Sequence, residues 1–155
     1  MVPRRTVLLV LPILLVLGIG GCAGGEVKES NAYVGAVNEA QERFAAESQR
    51  LLTELAPEDP AAAKRKVLDR VYVVVDGFVE QLRAIEPPAR VRAFHDRLIA
   101  AGIRFGDRLR SAGTALTSGD ASRILAGQER LAAAGTGMSR SVNETIAAIN
   151  SELAG

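Results

Sequence analysis

Two side chains in this 155-residue sequence occur only once, the thiol of Cys22 and the imidazole of His95. A lone thiol has no partner in the chain for a disulfide, a CxxC redox pair or a thiolate metal site. A lone imidazole completes no Ser-His-Asp set here, because no serine lies in a nucleophile-elbow context. The sequence also contains no Glu-x-x-His pair for a di-iron site and no CxxCH for haem. We therefore predict a non-enzymatic protein with no catalytic residue, metal ligand or cofactor.

Cys22 follows a segment with the parts of a secretory signal. Arg4 and Arg5 give it a positive start, and the apolar stretch 7–19 follows. A helix of that stretch would measure about 20 Å, short of the roughly 30 Å hydrocarbon core of a bilayer. An uncleaved anchor over the uncharged residues 6–25 is the alternative. Both interpretations place the remainder of the chain outside the cytoplasm, because the two arginines favour the cytoplasmic side.

The run Ile19-Gly20-Gly21-Cys22 resembles the lipobox of bacterial lipoprotein precursors. In that family a branched aliphatic residue and two small residues precede the cysteine. The resemblance implies diacylglyceryl transfer to the thiol of Cys22, acyl chains such as palmitate, and cleavage after Gly21. It predicts a signal peptide over 1–21, a short tether over 22–29, and a protein anchored by lipid on the extracytoplasmic face of the cell membrane.

The charge balance argues against a nucleic-acid partner. The whole sequence has 19 basic and 18 acidic side chains, and removing Arg4 and Arg5 with the signal leaves 17 basic against the same 18 acidic. A formal charge of −1 provides no excess of cations for a phosphate backbone. The partners that we predict are the membrane, through the lipid on Cys22, and another protein of the envelope.

After residue 30 the apolar residues recur at helical spacing, and three breaks separate the periodic segments. The breaks are Pro57 with Pro60, the pair Pro87-Pro88, and the turn Thr117-Ser118-Gly119-Asp120. They predict helices over about 30–55, 60–85, 88–116 and 120–153. Ser30 or Asn31 is the expected cap of the first helix, and Asp59 that of the second with Pro60 at its first position.

Two segments leave the helix assignment open. Residues 71–75, taken alone, resemble a strand, but the charged residues around them fall on the opposite side at a period of 3.6 and favour a helix. Gly135-Thr136-Gly137 is expected to bend or loosen the last helix. Helices of similar length with short connections predict an all-α fold, a single antiparallel up-down-up-down four-helix bundle over residues 30–155 after the N-terminal signal segment.

The segment from Tyr33 to Leu153 resembles a group of small helical lipoproteins of actinobacteria that carries no established activity. Three short motifs support the resemblance: Tyr33-Val34-Gly35-Ala36-Val37-Asn38; Ile85-Glu86-Pro87-Pro88-Ala89-Arg90-Val91 with the following Phe94-His95; and Thr145-Ile146-Ala147-Ala148-Ile149-Asn150. The resemblance implies the same fold and location, and it implies nothing catalytic.

His95 has two interpretations. By helical angle it lies about 60° from the centre of its helix's apolar stripe, on the flank of Gly102 and Gly106. The structural interpretation is a histidine at the core boundary, hydrogen-bonded to a carboxylate or carbonyl. The functional one is a groove at His95, Gly102 and Gly106 that binds a small ligand or a metal. The favoured function is thus an envelope binding or interaction protein, and the alternative is a ligand- or metal-binding module.

Overall fold

The computed structural model describes residues 24–54 and 59–154, and every regular element in those residues is helical. The helices are α1 (Gly24–Thr53), α2 (Ala61–Ala84), α3 (Arg92–Leu116) and α4 (Ala121–Ala154), with a 3-10 turn at Ala89–Val91 before α3. The predicted all-α class and the helical bundle are confirmed, including the helical state of residues 71–75. The predicted signal peptide, lipobox and Cys22 fall on residues 1–23, outside the described residues.

The structure places residues 24–29 of the predicted tether over 22–29 in helix α1. Residues 24–29 belong to α1 and are exposed. Ser30, the expected cap, is instead a buried residue inside the helix, and its Oγ accepts a hydrogen bond from Arg90 Nη2 at 3.2 Å. No proline interrupts residues 26–29, and their side chains have ordinary helix propensity, so the backbone ladder continues back to Gly24. The bundle therefore begins two residues after Cys22.

Prolines set the ends of α2 and α3. Pro60 occupies the N-cap position of α2 rather than the first helical position, and its carbonyl accepts from the Ala63 and Lys64 amides. Pro88 likewise precedes the 3-10 turn without a side-chain cap, so α3 begins at Arg92 and not at residue 88. A 3-10 turn at this place is a common way to tighten a helix N-terminus.

Helix α4 is continuous through the two glycines expected to bend it. Its first turn is capped by Asp120, whose Oδ1 accepts from the Arg123 amide at 2.8 Å. A Cβ at Gly135 would meet nothing within 4 Å, whereas one at Gly137 would lie 2.9 Å from Arg108 Nη1. Gly137 thus gives room to an arginine of α3, and the neighbouring helix supports the segment that its sequence alone would loosen.

The buried side chains form two clusters along the bundle. The first core joins α1, the end of α2, the start of α3 and the end of α4, and consists of Tyr33, Val34, Val37, Ala40, Phe78, Leu82, Val91, Leu98, Ile146, Ile149 and Leu153. The second core joins the end of α1, the start of α2 and the end of α3, and consists of Leu51, Val67, Leu68, Val71, Val75 and Leu109. Half-buried Phe44 contacts both, stacking on Phe78 with ring centroids 4.6 Å apart.

Helix α3 packs against both α2 and α4, and α1 packs mainly against α2. The first half of α4 reaches α3 through small residues, since Gly127 and Ala134 are its buried positions there. A Cβ at Gly127 would lie 3.0 Å from the Leu116 backbone nitrogen, so any side chain here would push the two backbones apart, and glycine allows their close approach. Helix α3 therefore packs one face against α2 and another against α4, and the candidate sites lie along these two contacts.

Candidate functional site

His95 lies in the interior of the bundle, deeper than the boundary position predicted for it. It is 3% exposed, because α1 covers the side of α3 on which it lies. Its Nε2 is 2.9 Å from the carbonyl oxygen of Leu82 at the end of α2, and its Nδ1 is 3.2 Å from the hydroxyl of Tyr33 on α1. The Tyr33 ring meets the imidazole edge-on at a centroid distance of 5.6 Å. One side chain thus links three helices.

These partners determine the protonation state of His95. A carbonyl oxygen only accepts, so Nε2 carries the proton and donates to Leu82, and Nδ1 accepts from the hydroxyl of Tyr33. Burial lowers the pKa of His95, and the Leu82 carbonyl and the charge of Asp96 oppose that shift only in part. Burial also raises the pKa of Tyr33 to about 12. Both groups are therefore neutral at pH 7.

The Leu82 carbonyl belongs to the last turn of α2, where backbone carbonyls lack the regular hydrogen bond from an amide four residues later in the helix. It accepts from the Ile85 amide at 3.1 Å as well as from His95. Pro87 and Pro88 offer no amide hydrogen beyond that point. The imidazole therefore completes the hydrogen bonding of a helix end, and its two nitrogens are both in use, which leaves no free lone pair for a metal or a substrate proton.

Gly102 and Gly106 serve close packing between α3 and α2. A Cβ at Gly102 would lie 2.8 Å from Val79 Cγ2, and one at Gly106 would lie 3.4 Å from Val75 Cγ1. Gly113 follows the same pattern, with Tyr72 Oη only 2.1 Å from the position of its Cβ. The structure does not gather the three residues of the predicted groove into one cavity: Gly102 packs against α2, and His95 points into the first core.

A different groove lies on the surface between α2 and α3. It measures about 340 Å³ and is lined by Asp76, Val79, Glu80, Arg83, Ile103, Gly106 and Arg110. Of the predicted groove residues it contains only Gly106. Ile103 in this lining is 41% exposed, while Arg110 pairs with Asp76 at 3.1 Å and Arg83 with Glu80 at 2.6 Å. Exposed apolar area together with paired charges is a composition found at protein-contact surfaces.

A second, much smaller cavity lies in the seam between α3 and α4. It measures about 20 Å³, room for one water molecule, and is lined by Ala101, Arg104, Phe105, Arg108, Ala134, Gly137, Met138 and Ser141. Both arginines are exposed, and neither has a carboxylate within 4.0 Å among the described residues. The outer side of this seam is therefore cationic.

Sequence reasoning missed Tyr33 as the partner of His95 and missed the arginines of the α3–α4 seam. No sequence signal joins Tyr33 to His95, because the two residues lie 62 positions apart. The arginines did carry a signal, since Arg97, Arg104 and Arg108 share one face by their spacing of seven and four residues. The net charge of the whole sequence is close to zero and therefore gives no indication of this local excess of arginine.

Among residues 24–54 and 59–154, no three His, Cys, Asp or Glu side chains lie close enough together to hold a metal ion. None of the helices in this part of the chain is both long and apolar enough to cross a membrane. Comparisons with protein-family models, with curated proteins and with solved structures gave no match.

Proposed function

We propose that this chain is a lipid-anchored, extracytoplasmic helical-bundle protein that binds another component of the cell envelope and catalyses no reaction. The observation that carries the proposal is the position of the sole thiol, Cys22, directly after Ile19-Gly20-Gly21 and two residues before α1 begins. A cysteine bearing a diacylglyceryl group brings two acyl chains, about the number that stable anchoring requires. The bundle would then be held close to the membrane surface.

We also infer that the bundle is antiparallel, with helices running up, down, up and down. His95 near the start of α3 contacts Tyr33 near the start of α1 and Leu82 near the end of α2. At the other end, Leu51 of α1 shares the second core with Val67 of α2. Short connections between α2, α3 and α4 agree with antiparallel neighbours.

The state of His95 favours a binding scaffold over a ligand- or metal-binding module. Both of its ring nitrogens are engaged by Tyr33 and Leu82, and its burial holds it neutral. A ligand at this imidazole would have to break one of two buried hydrogen bonds, either the one from the Tyr33 hydroxyl or the one to the Leu82 carbonyl, which would then keep only the Ile85 amide. The alternative function has no comparable observation in its favour.

The α2–α3 groove is the surface that we assign to the envelope partner. Ile103 offers an exposed apolar side chain, and the Asp76–Arg110 and Glu80–Arg83 pairs offer charged groups in the same lining. Interfaces between proteins place apolar residues at the centre and charged groups at the rim. The partner that fits is a protein with a short apolar ridge flanked by polar groups.

Anchoring is tested by metabolic labelling with a clickable fatty-acid analogue. The wild-type chain should be labelled, and Cys22→Ala should be neither labelled nor processed, because the thiol accepts the diacylglyceryl group that carries the acyl chains. His95→Gln, which leaves Cys22 intact, is the control and should be labelled as the wild type is. Label that persists at full strength on Cys22→Ala would refute the lipoprotein assignment.

Partner binding is tested by placing a photo-crosslinking amino acid at Ile103 and, as a control, at Val73. Val73 is 72% exposed on α2 and does not line the groove. Crosslinking in intact membranes should give a discrete adduct from position 103 and none from position 73. Equal adducts from the two positions, or none from either, would contradict a partner site in this groove.

A further inference from the structure

A stripe of four exposed arginines follows the outer side of the α3–α4 contact. Arg97, Arg104 and Arg108 lie seven and four residues apart on α3, so they share one face, and the last two line the small cavity against α4. On α4, Arg130 lies seven residues before Gly137, a lining residue of that cavity, and so lies on the same side. We call these four residues the arginine seam.

The charges of the arginine seam are not neutralised by neighbouring carboxylates. The ion pairs of the described residues use Arg43, Arg50, Arg70, Arg83 and Arg110. The guanidinium of Arg97 lies over the ring of Phe94 at 5.1 Å, which leaves its charge in place. Asp107, next to Arg108 in sequence, pairs with Arg110 instead. Glu144, seven residues after Gly137, is the carboxylate that shares the stripe on α4.

The arginine seam is therefore locally positive in a chain that is nearly neutral, because its four arginines share their stripe with Glu144. Helix α4 as a whole carries three arginines, Arg123, Arg130 and Arg140, and three carboxylates, Glu129, Glu144 and Glu152. Helix α3 alone carries five arginines, Arg92, Arg97, Arg104, Arg108 and Arg110, against two carboxylates, Asp96 and Asp107. Arginine binds phosphate oxygens with two parallel N–H donors, and it keeps its charge at every physiological pH. A row of unpaired guanidinium groups is complementary to a surface of phosphodiesters.

We propose that the arginine seam docks on the phosphate groups of anionic lipids in the membrane that holds the chain, an inference that rests on the lipid anchor at Cys22 proposed above. Two observations favour a membrane over other anionic surfaces. Helix α1 begins two residues after Cys22, so an anchored domain cannot move far from the headgroups. Arg97 also lies two residues from His95, which contacts Tyr33 in the first third of α1, so the seam begins in the half of the bundle that contains the anchored end of α1.

Docking would lay the bundle on its side. Arg97 and Arg108 are eleven residues apart, about 16 Å along the helix, so contact of both with the headgroups requires α3 to lie along the membrane. Each arginine brought to an anionic surface increases partitioning by about five-fold. The attraction is electrostatic, and it therefore weakens with salt and disappears on an uncharged bilayer.

The experiment measures Förster transfer from a donor on the full, lipidated chain to an acceptor-labelled headgroup in vesicles. With Cys22 acylated, the sequence has no other thiol, so an introduced cysteine takes the donor alone. Ala133→Cys places it on the exposed face of α4 beside the seam, and Ala46→Cys places it on the exposed face of α1. Vesicles contain either phosphatidylcholine alone or phosphatidylcholine with about a third phosphatidylglycerol.

We expect stronger transfer from position 133 than from position 46 on the phosphatidylglycerol vesicles, and a loss of that difference in high salt or on phosphatidylcholine. Arg104→Glu with Arg108→Glu should remove the difference. Arg43→Glu with Arg50→Glu, the same charge change on exposed α1, should keep it. Far-UV circular dichroism of each variant checks the helix content. Equal transfer from the two positions on both vesicles, or equal loss in both charge-reversed variants, would overturn the proposal.

The labelling step separates this proposal from the one on which it rests. Donor uptake by the chain with no introduced cysteine would mean that Cys22 is free and that the anchoring proposal fails. The two donor positions are then compared in a Cys22→Ser background on the same two kinds of vesicle. A phosphatidylglycerol-dependent difference there would support docking without the lipid, and its absence would refute docking as well.

Discussion

His95 makes the stability of the bundle depend on pH. Its pKa in the folded chain lies below the ordinary value of 6.5, because burial disfavours the imidazolium. As the pH falls below about 6.5 the unfolded chain binds a proton first, and the free energy of unfolding decreases until the folded-state pKa is reached. We predict a lower Tm at about pH 5.5 than at about pH 7.5, measured by circular dichroism.

His95→Gln is the control for this pH dependence, since it removes the titrating group and keeps a side-chain donor. The variant should lose most of the decrease between the two pH values. A wild-type Tm that does not change over this range would contradict the buried, neutral histidine, and so would a decrease of the same size in the variant.

Tyr33 donates the other hydrogen bond to this histidine. Tyr33→Phe removes the hydroxyl and leaves Nδ1 of His95 buried without a donor, which should destabilise the domain by about 1–3 kcal/mol. Tyr72→Phe is the matched control, because its hydroxyl lies 3.5 Å from the Leu109 carbonyl, the outer limit of a hydrogen bond. Urea unfolding compares the two variants. Equal losses would refute a specific role for the Tyr33–His95 bond.

Ser48 on α1 is a polar residue on an otherwise apolar stripe. Its Oγ is buried and has no hydrogen-bond partner among the described residues. Ser48→Ala should stabilise the domain by about 1 kcal/mol, from the removed unsatisfied hydroxyl and the better helix propensity. Ser111→Ala, on the exposed face of α3, gains only the better helix propensity. It should raise the free energy of unfolding by only about a few tenths of a kcal/mol. The same gain in both variants would contradict the burial of the Ser48 hydroxyl.

At the scale of the elements, the glycines of α3 determine how closely α2 approaches. Gly102→Ala would place a methyl group 2.8 Å from Val79 Cγ2, on a β-branched side chain with little freedom to move. We predict a loss of about 1–3 kcal/mol from this overpacking. Gly77→Ala in α2, where a Cβ meets nothing within 4 Å, should instead stabilise by about 0.5–1 kcal/mol. Stabilisation by both alanines, measured by urea unfolding, would mean that the space at Gly102 is an open groove.

The helices were predictable because each buries a stripe at a period of 3.6, and the stripe residues Val37, Leu82 and Leu98 are all buried. The helix ends were less predictable. The start of α1 depends on whether an uninterrupted polar segment continues the helix, and Ser30 is buried within that helix and bound by Arg90, a residue 60 positions away. The continuity of α4 through Gly135 and Gly137 likewise depends on its contact with α3.

The candidate site was less predictable than the fold. Spacing placed His95 on the same flank of α3 as Gly102, but whether that flank is a groove or a packed contact depends on the side chains of α2. Val79 fills the space at Gly102, and Leu82 supplies a carbonyl at a helix end. Neither contact has a signature in the sequence of α3.

At the scale of the whole molecule, we propose a helical bundle that is joined to a lipid anchor at Cys22. The bundle has a groove lined by Ile103 and charged pairs between α2 and α3, and a row of arginines along α3 and α4. The roles that we propose for both surfaces require the chain to be held where an envelope partner and anionic lipid are present. The central claim is therefore the lipid on Cys22.

The most direct test is mass spectrometry of the N-terminal peptide of the protein purified from the membranes of its native host. We predict a mature chain that begins at Cys22 and carries a thioether-linked diacylglyceryl group on that residue. A chain that begins at Met1, or a peptide in which Cys22 carries no lipid, would contradict it.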